Sequence, residues 1–199
     1  MRDRPYLALI VSSALAGLVI DVALVGGPVY FLDVLHGPAW LPGALLATST
    51  GLSSVAGVRV VVWLRPFRRS QALQAGSLVF VVWSTLMAGL LLVPAKALVV
   101  VAFPIWVLMV AGSKVFFPVA GALSDALPPR RSRATYMATY QYAFTLAQIA
   151  CPAVVALFAV SSWLPWAVTG AGAAVAVLVQ GRLRRVIGSL DRVPVDAAA

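Results

Sequence analysis

Basic residues occupy every second gap between six long apolar stretches of this chain. Twelve of the fifteen Lys and Arg residues fall into four clusters, at the first, third, fifth and last of these gaps: Arg2 and Arg4; Arg65, Arg68 and Arg69; Arg130, Arg131 and Arg133; and Arg182, Arg184, Arg185 and Arg192. The intervening gaps hold only Lys96. Because positive residues are retained on the cytoplasmic side of a membrane, the alternation predicts six membrane spans with both termini in the cytoplasm.

The composition agrees with a membrane protein. Hydrophobic residues make up 62% of the chain and charged residues only 11%, too few to cover a water-exposed surface of normal polarity. The formal net charge of +9 lies mainly in the gaps that flank the spans, so it predicts contact with the anionic headgroups of the lipid bilayer rather than with nucleic acid. The excess of Arg over Lys, with abundant Ala, Val and Leu, is typical of a GC-rich bacterial genome. The predicted location is therefore the bacterial inner (plasma) membrane.

Each apolar stretch is long enough to cross a bilayer as a helix. A hydrocarbon core of ~30 Å needs ~20 residues of α-helix, and lipid admits only helices or closed barrels. The stretches lack the short alternating runs of barrel strands. The predicted fold is an all-α integral membrane bundle forming one domain over residues 1–189, followed by a disordered cytoplasmic tail over 190–199. The spans are predicted at about 6–32, 40–64, 71–93, 97–124, 134–161 and 164–182.

Some of these stretches are longer than an upright span requires, so tilting or kinking is expected. A proline removes one backbone donor and bends a helix. Breaks are therefore expected at Gly26, Gly27 and Pro28, and at Pro104, Pro118 and Pro152. Aromatic residues close to several span ends predict an interfacial belt; on the outer side these are Tyr30, Phe31, Trp40, Trp163 and Trp166.

Residues for catalysis are sparse. The chain has no glutamate, six scattered aspartates, one histidine (His36, expected in an outer loop) and one cysteine (Cys151, inside an apolar stretch). This set offers neither a nucleophile with a base nor paired carboxylates for a metal ion, and no phosphate-binding glycine loop is present. The sequence predicts a protein that is not an enzyme and binds no metal or cofactor.

Two charged residues interrupt the apolar stretches near their centres. Asp21 lies in the first stretch and Lys114 in the fourth, and charges at membrane depth usually face a cavity or pair with each other because they are costly in lipid. The positions of the two residues, roughly 20 Å and 15 Å from the inner ends at 1.5 Å per residue, allow an ion pair between them. The pair is interpreted as part of a polar path, with a purely structural lock between two helices as the alternative.

A second group of polar residues lies in the fifth stretch. Gln141, Phe144 and Gln148 recur at helical spacing and share one face. Amides in lipid need partners, so this face is expected to line a water-filled path or to form hydrogen bonds between helices, both of which remain open. Trp106 in the fourth stretch is a further candidate for the wall of an apolar cavity, with ordinary aromatic packing as the alternative.

Several motifs resemble those of bacterial major facilitator superfamily transporters. They are Arg4-Pro5-Tyr6-Leu7 before the first span, the loop Pro128-Pro129-Arg130-Arg131-Ser132-Arg133, the following Ala134-Thr135-Tyr136-Met137-Ala138-Thr139-Tyr140-Gln141, and Cys151-Pro152. The resemblance is to the second, C-terminal half of such a transporter and covers nearly all of the chain. The loop Leu64-Arg65-Pro66-Phe67-Arg68-Arg69 keeps the arginines of a family loop motif but lacks its aspartate and glycine.

The resemblance implies a fold of two inverted three-helix repeats, in which the first helix of each repeat lines the central path. Those helices carry Asp21 and Lys114, so it also implies a small-molecule path past Asp21, Lys114, Gln141, Gln148, Trp106 and Phe144. It implies gating at the cytoplasmic loops by Arg65, Arg68, Arg69, Arg130, Arg131 and Arg133. Family members commonly export small amphiphilic compounds in exchange for protons, for which Asp21 is the candidate carrier.

These expectations combine into one prediction. The chain is expected to transport small organic molecules by proton-coupled efflux, as one half of a major-facilitator-type antiporter that acts with a second six-helix half or as a homodimer. The alternative is a truncated, non-transporting membrane protein or a helical interaction module. A membrane enzyme ranks third.

Overall fold

All regular secondary structure in the described part of the chain is helical. A computed structural model describes residues 4–64 and 68–187, and omits the side chains at 56–64, 130 and 183–187. The six α-helices are α1 (Arg4–Val29), α2 (Leu41–Leu64), α3 (Arg69–Gly89), α4 (Ala95–Ala126), α5 (Arg133–Ala156) and α6 (Leu164–Ile187). The all-helical prediction is confirmed. The predictions for Arg65, Arg192 and the tail 190–199 lie outside the described residues.

Five of the six helices are long and apolar enough to cross a membrane. Counted with their short extensions, these stretches are Arg4–Val34, Arg69–Leu92, Ala95–Ala126, Arg133–Ala159 and Leu164–Arg182. The remaining helix, α2, has 24 residues, and its side chains are described only as far as Val55. The chain therefore has the helices of a membrane protein, and each predicted span overlaps one of them.

The helices continue through the prolines at which breaks were expected. Helix α1 runs through Pro28 and continues as a π-helical turn, Tyr30–Val34. Helix α4 runs through Pro104 and Pro118, and α5 through Pro152. A proline removes one hydrogen bond and leaves the rest of the ladder intact, and in lipid an unwound segment would leave several more backbone groups without a partner.

The helices form two layers. A front layer contains α2, α4, α1 and α5 in that order, because α2 packs on α4, α4 contacts α1, and α1 packs extensively on α5. A rear layer consists of α3 and α6, which pack on each other. Helix α3 also packs on α4, and α6 on α1. Consequently α2 and α5 form the two edges of the front layer, with α1 and α4 between them.

Hydrogen bonds between distant residues connect like ends of the helices. Near the start of α1, Tyr6 Oη donates to the carbonyl of Tyr136 near the start of α5, 2.6 Å away. Tyr30, just after α1, donates to the carbonyl of Met87 near the end of α3, at 2.7 Å. One end of the bundle thus gathers the starts of α1, α3 and α5 and the ends of α2, α4 and α6. This end, called the basic end below, carries the predicted cytoplasmic arginine clusters.

Close helix contacts in the bundle depend on glycine. A Cβ added at Gly76 of α3 would lie 2.9 Å from Phe116 Cβ and 3.1 Å from the Phe116 backbone nitrogen. A Cβ added at Gly112 of α4 would lie 2.8 Å from a methyl group of Val79. Because dispersion contacts drive helix association where lipid removes the hydrophobic effect, this glycine pair lets α3 and α4 pack at short range.

The aromatic belt is only partly as predicted. Trp40 and Trp163 are 56% and 52% exposed, consistent with an interfacial position. In contrast, Tyr30, Phe31 and Trp166 are almost completely buried, and the Tyr30 and Trp166 rings meet edge to face with centroids 5.0 Å apart. These three residues face neighbouring helices rather than lipid. Their distance from the span end does not reveal which side of the helix they occupy.

The orientation of the bundle can be tested by labelling cysteines introduced at exposed positions of a Cys151→Ala protein. Gln71→Cys and Ala134→Cys, at the basic end, should react with a membrane-impermeant maleimide only after the cytoplasmic side is opened. Ala39→Cys and Ala95→Cys, at the opposite end, should react in intact cells. All four wild-type side chains are exposed in the bundle. Labelling of Ala134→Cys from outside intact cells would contradict the assignment derived from the arginines.

Candidate functional site

Three helices of the front layer meet around Phe144. A Cβ added at Gly17 of α1 would lie 3.3 Å from Ala147 Cβ and 3.5 Å from the Phe144 ring, both on α5. The Phe144 ring in turn lies 6.0 Å, centroid to centroid, from Phe117 of α4. Phe144 therefore bridges α1 and α4, and the three residues Gly17, Phe117 and Phe144, called the Phe144 layer below, mark one depth in the bundle.

The two charged residues of the front layer lie at a common depth. Asp21 is four residues beyond Gly17 in α1, and Lys114 is three residues before Phe117 in α4. Helices α1 and α4 run in opposite directions, so both displacements lead away from the basic end, by about 5–6 Å at 1.5 Å per residue. Gln148 of α5 is likewise one turn beyond Phe144. Asp21, Lys114 and Gln148 thus form a polar level adjacent to the Phe144 layer.

The predicted ion pair is absent from the structure. Asp21 and Lys114 are each half-buried, and the ion pair found within residues 4–64 and 68–187 is a different one, between Arg133 and Asp125. The reason lies in the packing: α1 makes its extensive contacts with α5 and α6 and touches α4 only slightly.

A half-buried carboxylate and a half-buried ammonium group therefore share one level without bonding to each other. In the described part of the chain no hydrogen bond to the side chain of Asp21 or Lys114 is formed. Charged groups at membrane depth are expensive and rarely left in hydrocarbon. Chemically, Asp21 can bind a cationic group and Lys114 an anionic one.

The amide face of α5 lies at the surface of the bundle. Gln141 and Gln148 are exposed, while Phe144 between them is half-buried. Neither amide group bonds to another helix within the described residues, so the hydrogen-bonding alternative is not realised inside this bundle. What the amides face is therefore lipid, water or another protein surface.

Trp106 lies in the packed interior. Its side chain is 1% exposed, and Nε1 donates to Ser49 Oγ of α2 at 2.6 Å. A Cβ added at Gly27 of α1 would lie 3.2 Å from the Trp106 ring. Trp106 thus holds α2, α4 and α1 together, which is the aromatic packing considered as the alternative to a cavity wall.

Arginines at the basic end are mostly exposed. Arg133 forms a two-pronged ion pair with Asp125 across the turn between α4 and α5, with Arg133 Nε 2.7 Å from Asp125 Oδ1. Arg68 and Arg131 are exposed and Arg69 is half-buried. The side chain of Arg130 is outside the described set. Both partners of the ion pair are solvent-exposed, so it contributes little to stability.

Sequence reasoning missed two of these interactions. The acid of the Asp125 pair was treated as one of several scattered aspartates, although it lies eight residues before Arg133 across a Pro-Pro turn. Ser13 of α1 hydrogen bonds with Tyr140 of α5 at 3.1 Å. The signal for this bond is helical spacing: Ser13 lies four residues before Gly17 on α1, and Tyr140 lies four residues before Phe144 on α5, so the bonded pair lies one turn from the contact between Gly17 and Phe144.

Metal-binding geometry is not found in the described residues. No group of three or more His, Cys, Asp or Glu side chains comes together in residues 4–64 and 68–187. The polar level instead has one carboxylate, one ammonium group and one amide at a common depth, about one helical turn from the Phe144 layer.

Comparison with protein families and with curated proteins yields no match. No model of a protein family matches the chain, and no curated protein is significantly similar to it. The resemblance to the major facilitator superfamily therefore stays a prediction based on sequence motifs.

The absence of the ion pair can be tested by a double-mutant cycle. The effects of Asp21→Asn and Lys114→Met on the free energy of unfolding, measured in detergent, should add to within about 0.5 kcal/mol because the groups do not bond. The cycle of Ser13→Ala and Tyr140→Phe, whose hydroxyls do bond, is the control and should show a coupling of about 0.6 kcal/mol. If the double variant of Asp21 and Lys114 loses clearly less unfolding free energy than the two single variants lose together, the pairing hypothesis would be restored.

Proposed function

We propose that this protein transports small amphiphilic organic molecules across the bacterial inner membrane, through the front layer of the bundle, by proton-coupled efflux. The observation that carries the proposal is the polar level itself. Asp21 and Lys114 lie in apolar helices, half-buried and unpaired with each other. Since intramembrane charges are costly and commonly mark substrate or proton pathways, a permeation path is a better explanation than a structural lock.

Asp21 is the residue through which proton movement and substrate movement would be linked. A carboxylate can carry a proton in one state of the transporter and bind a cationic group of the substrate in another, so that the two compete for one site. Lys114, at the same depth, supplies a positive charge that disfavours occupation by a second cation. Phe144 and Gln148 would contact the apolar and polar parts of an amphiphilic substrate.

The packing pattern supports a fold of two inverted repeats. If α1, α2 and α3 are exchanged with α4, α5 and α6 respectively, the contact of α1 with α5 becomes that of α4 with α2. The contact of α1 with α6 becomes that of α4 with α3. The α3–α6 and α1–α4 contacts map onto themselves, and all of these pairs occur. Because α1 and α4 run in opposite directions, the repeats would be related by an axis in the membrane plane, as in many transporters.

The role of the front layer implies a second bundle. Alternating access requires one bundle to move against another around a midplane site, and the described helices provide one wall of such a site. The partner would be a second six-helix half or another copy of this bundle. In this arrangement, the arginines of the basic end would lie in the cytoplasm, where Arg68, Arg69, Arg131 and Arg133 could contribute to gating.

A helical interaction module is the second candidate. The exposed amides of Gln141 and Gln148 favour it, since they suit a contact between membrane helices whether or not anything is transported. The two candidates differ in their requirement for Asp21, which is inside the front layer and is not needed by a contact at the surface of α5.

Transport can be tested in proteoliposomes with ethidium, a fluorescent amphiphilic cation. A pH gradient should drive ethidium movement by the wild-type protein, and Asp21→Asn should abolish this movement because the linking carboxylate is lost. Asp33→Asn is the matched control: the same change at an exposed residue at the opposite end from the arginines should leave the rate unchanged. Ethidium movement equal to that of empty liposomes, or unaffected by Asp21→Asn, would contradict the proposal.

A further inference from the structure

The rear layer carries polar side chains near the basic end. Helices α3 and α6 pack on each other and run in opposite directions, with the start of α3 and the end of α6 at the basic end. Gln180 Nε2 of α6 donates to Ser77 Oγ of α3 at 3.0 Å, and this bond fixes the register of the two helices. A Cβ added at Gly181 of α6 would lie 3.4 Å from Gln74 Nε2 of α3. The Gln74 side chain therefore lies at the contact between the two helices.

On both helices, a polar residue near this contact is followed by a leucine one turn further from the basic end. Gln74 of α3 and Arg182 of α6 lie about 4.5 Å and 3 Å from the hydrogen bond between the helices, toward the basic end, at 1.5 Å per residue. Leu78 and Leu178 lie about 1.5 Å and 3 Å from the same bond in the opposite direction. On each helix the two residues are four apart and share a face. These four residues and Gln71, one turn closer to the basic end, are called the rear seam.

The polar residues of the rear seam have no partner in the part of the chain that the structure describes. Arg182 and Gln71 are exposed and Gln74 is half-buried, and none of the three forms a side-chain hydrogen bond or an ion pair there. A guanidinium group has five N–H donors and a primary amide has two. The rear seam therefore presents several free donors and a positive charge to a molecule outside the bundle.

Further from the basic end, the surface of the rear seam is apolar. Leu78 and Leu178 are 51% and 71% exposed. The same helix faces continue with Val82 and Val175, which are 50% and 47% exposed. A molecule that matches this surface has a polar head that accepts hydrogen bonds and a long apolar part.

The donors lie at the depth of the phosphate groups of a bilayer. The apolar stretch Arg69–Leu92 has 24 residues, or about 36 Å of α-helix, compared with a hydrocarbon core of ~30 Å. Gln74 is five residues from the start of this stretch, about 7–8 Å along the helix, and is therefore close to the boundary between hydrocarbon and headgroups. Arg182, at the matching level, has a long side chain that can extend to this boundary. The depth of the rear seam therefore suits a phospholipid.

Nearby charges favour a headgroup with a net negative charge. Arg68 and Arg69, at the start of α3, lie about 8–9 Å closer to the basic end than Gln74. Arg68 is exposed and Arg69 is half-buried. Together with Arg182 they make this side of the basic end positive, and anionic lipids are attracted to such clusters.

The rear seam has no carboxylate that could bind an ammonium headgroup. Three aspartates belong to the described part of the chain. Asp21 is in the front layer, and Asp33 lies at the end opposite the arginines. Asp125 is paired with Arg133 at the turn between α4 and α5. A zwitterionic lipid would therefore place its ammonium group near arginines without a counterion, and an acidic lipid would not.

From this arrangement we infer that the rear seam binds one acidic glycerophospholipid, such as phosphatidylglycerol, from the leaflet at the basic end. Arg182 and Gln74 donate to the phosphate oxygens, and hydrogen bonds between a guanidinium group and phosphate are among the strong ones. Gln71 donates to the polar part of the headgroup, and the acyl chains lie along Leu78 and Leu178. Basic pockets between membrane helices bind acidic headgroups in this way. The site is in the rear layer, so it does not depend on the proposed transport through the front layer.

Native mass spectrometry of the full chain in detergent, with added lipid, tests the site. The Kd for dioleoylphosphatidylglycerol should be about fivefold lower than that for dioleoylphosphatidylethanolamine, whose ammonium group has no counterion here. Arg182→Gln should raise the Kd for phosphatidylglycerol about tenfold because the charged donor is lost. Gln74→Met, which removes only the amide, should raise it about fivefold. Arg131→Gln is the matched control, because Arg131 is exposed at the same end but lies between α4 and α5, and it should leave the Kd unchanged.

Three results of this titration would overturn the inference. Equal Kd values for the two lipids would show that the phosphate alone is bound, without selection for an acidic lipid. An equal effect of Arg131→Gln and Arg182→Gln would show that only the total charge matters. Glycerophosphoglycerol, the same headgroup without acyl chains, should not displace the lipid at equal concentration, and displacement would show a site for a soluble phosphodiester.

Fluorescence quenching in liposomes locates the bound lipid independently. Val175→Cys on α6 and Leu146→Cys on α5, each in a Cys151→Ala protein, provide exposed positions for a bimane label. Spin-labelled phosphatidylglycerol should quench the label at position 175 more strongly than spin-labelled phosphatidylethanolamine does at the same mole fraction, and Arg182→Gln should remove this difference. At position 146 the two lipids should quench equally. The same ratio of quenching at both positions would contradict a site at the rear seam.

Discussion

The cost of leaving polar groups unsatisfied in hydrocarbon governs this structure. It requires every spanning segment to be helical, and it confines most of the arginines to the ends of the helices and the gaps between them. The same cost keeps α1, α4 and α5 helical through their prolines. It also makes the exceptions informative, since Asp21 and Lys114 are charged groups in apolar helices, and Gln141 and Gln148 are amides on an open face.

Interleaved packing decides where in the bundle these polar residues lie. Helix α1 packs on α5 and α6 rather than on its chain neighbour α2, which packs on α4. Contacts at small residues, such as Gly17 against Ala147, permit this arrangement. It brings α1 and α4 to the middle of the front layer and leaves α2 and α5 at its edges. The charged level is therefore central, and the exposed amides of Gln141 and Gln148 are peripheral.

The sequence predicts the helices well because the bilayer imposes a simple rule of length and apolarity. It also identifies Asp21 and Lys114, since a charge in an apolar helix is conspicuous. It does not predict the absence of their ion pair, which depends on how little α1 and α4 touch. Nor does it predict the burial of Tyr30, Phe31 and Trp166, because a helix end in sequence does not show which face meets a neighbour. Tertiary packing decides both.

The contact between α1 and α5 tests the interleaved arrangement most directly. In a Cys151→Ala protein, Gly17→Cys combined with Ala147→Cys should form a disulfide within one chain, because the corresponding Cβ atoms lie 3.3 Å apart, close to the usual range of about 3.5–4.5 Å. Gly17→Cys combined with Gly121→Cys of α4 is the control and should stay reduced. Rapid disulfide formation in the first protein alone is the expected result. Its absence, or equal formation in both proteins, would contradict the arrangement on which the polar level and the two edge helices depend.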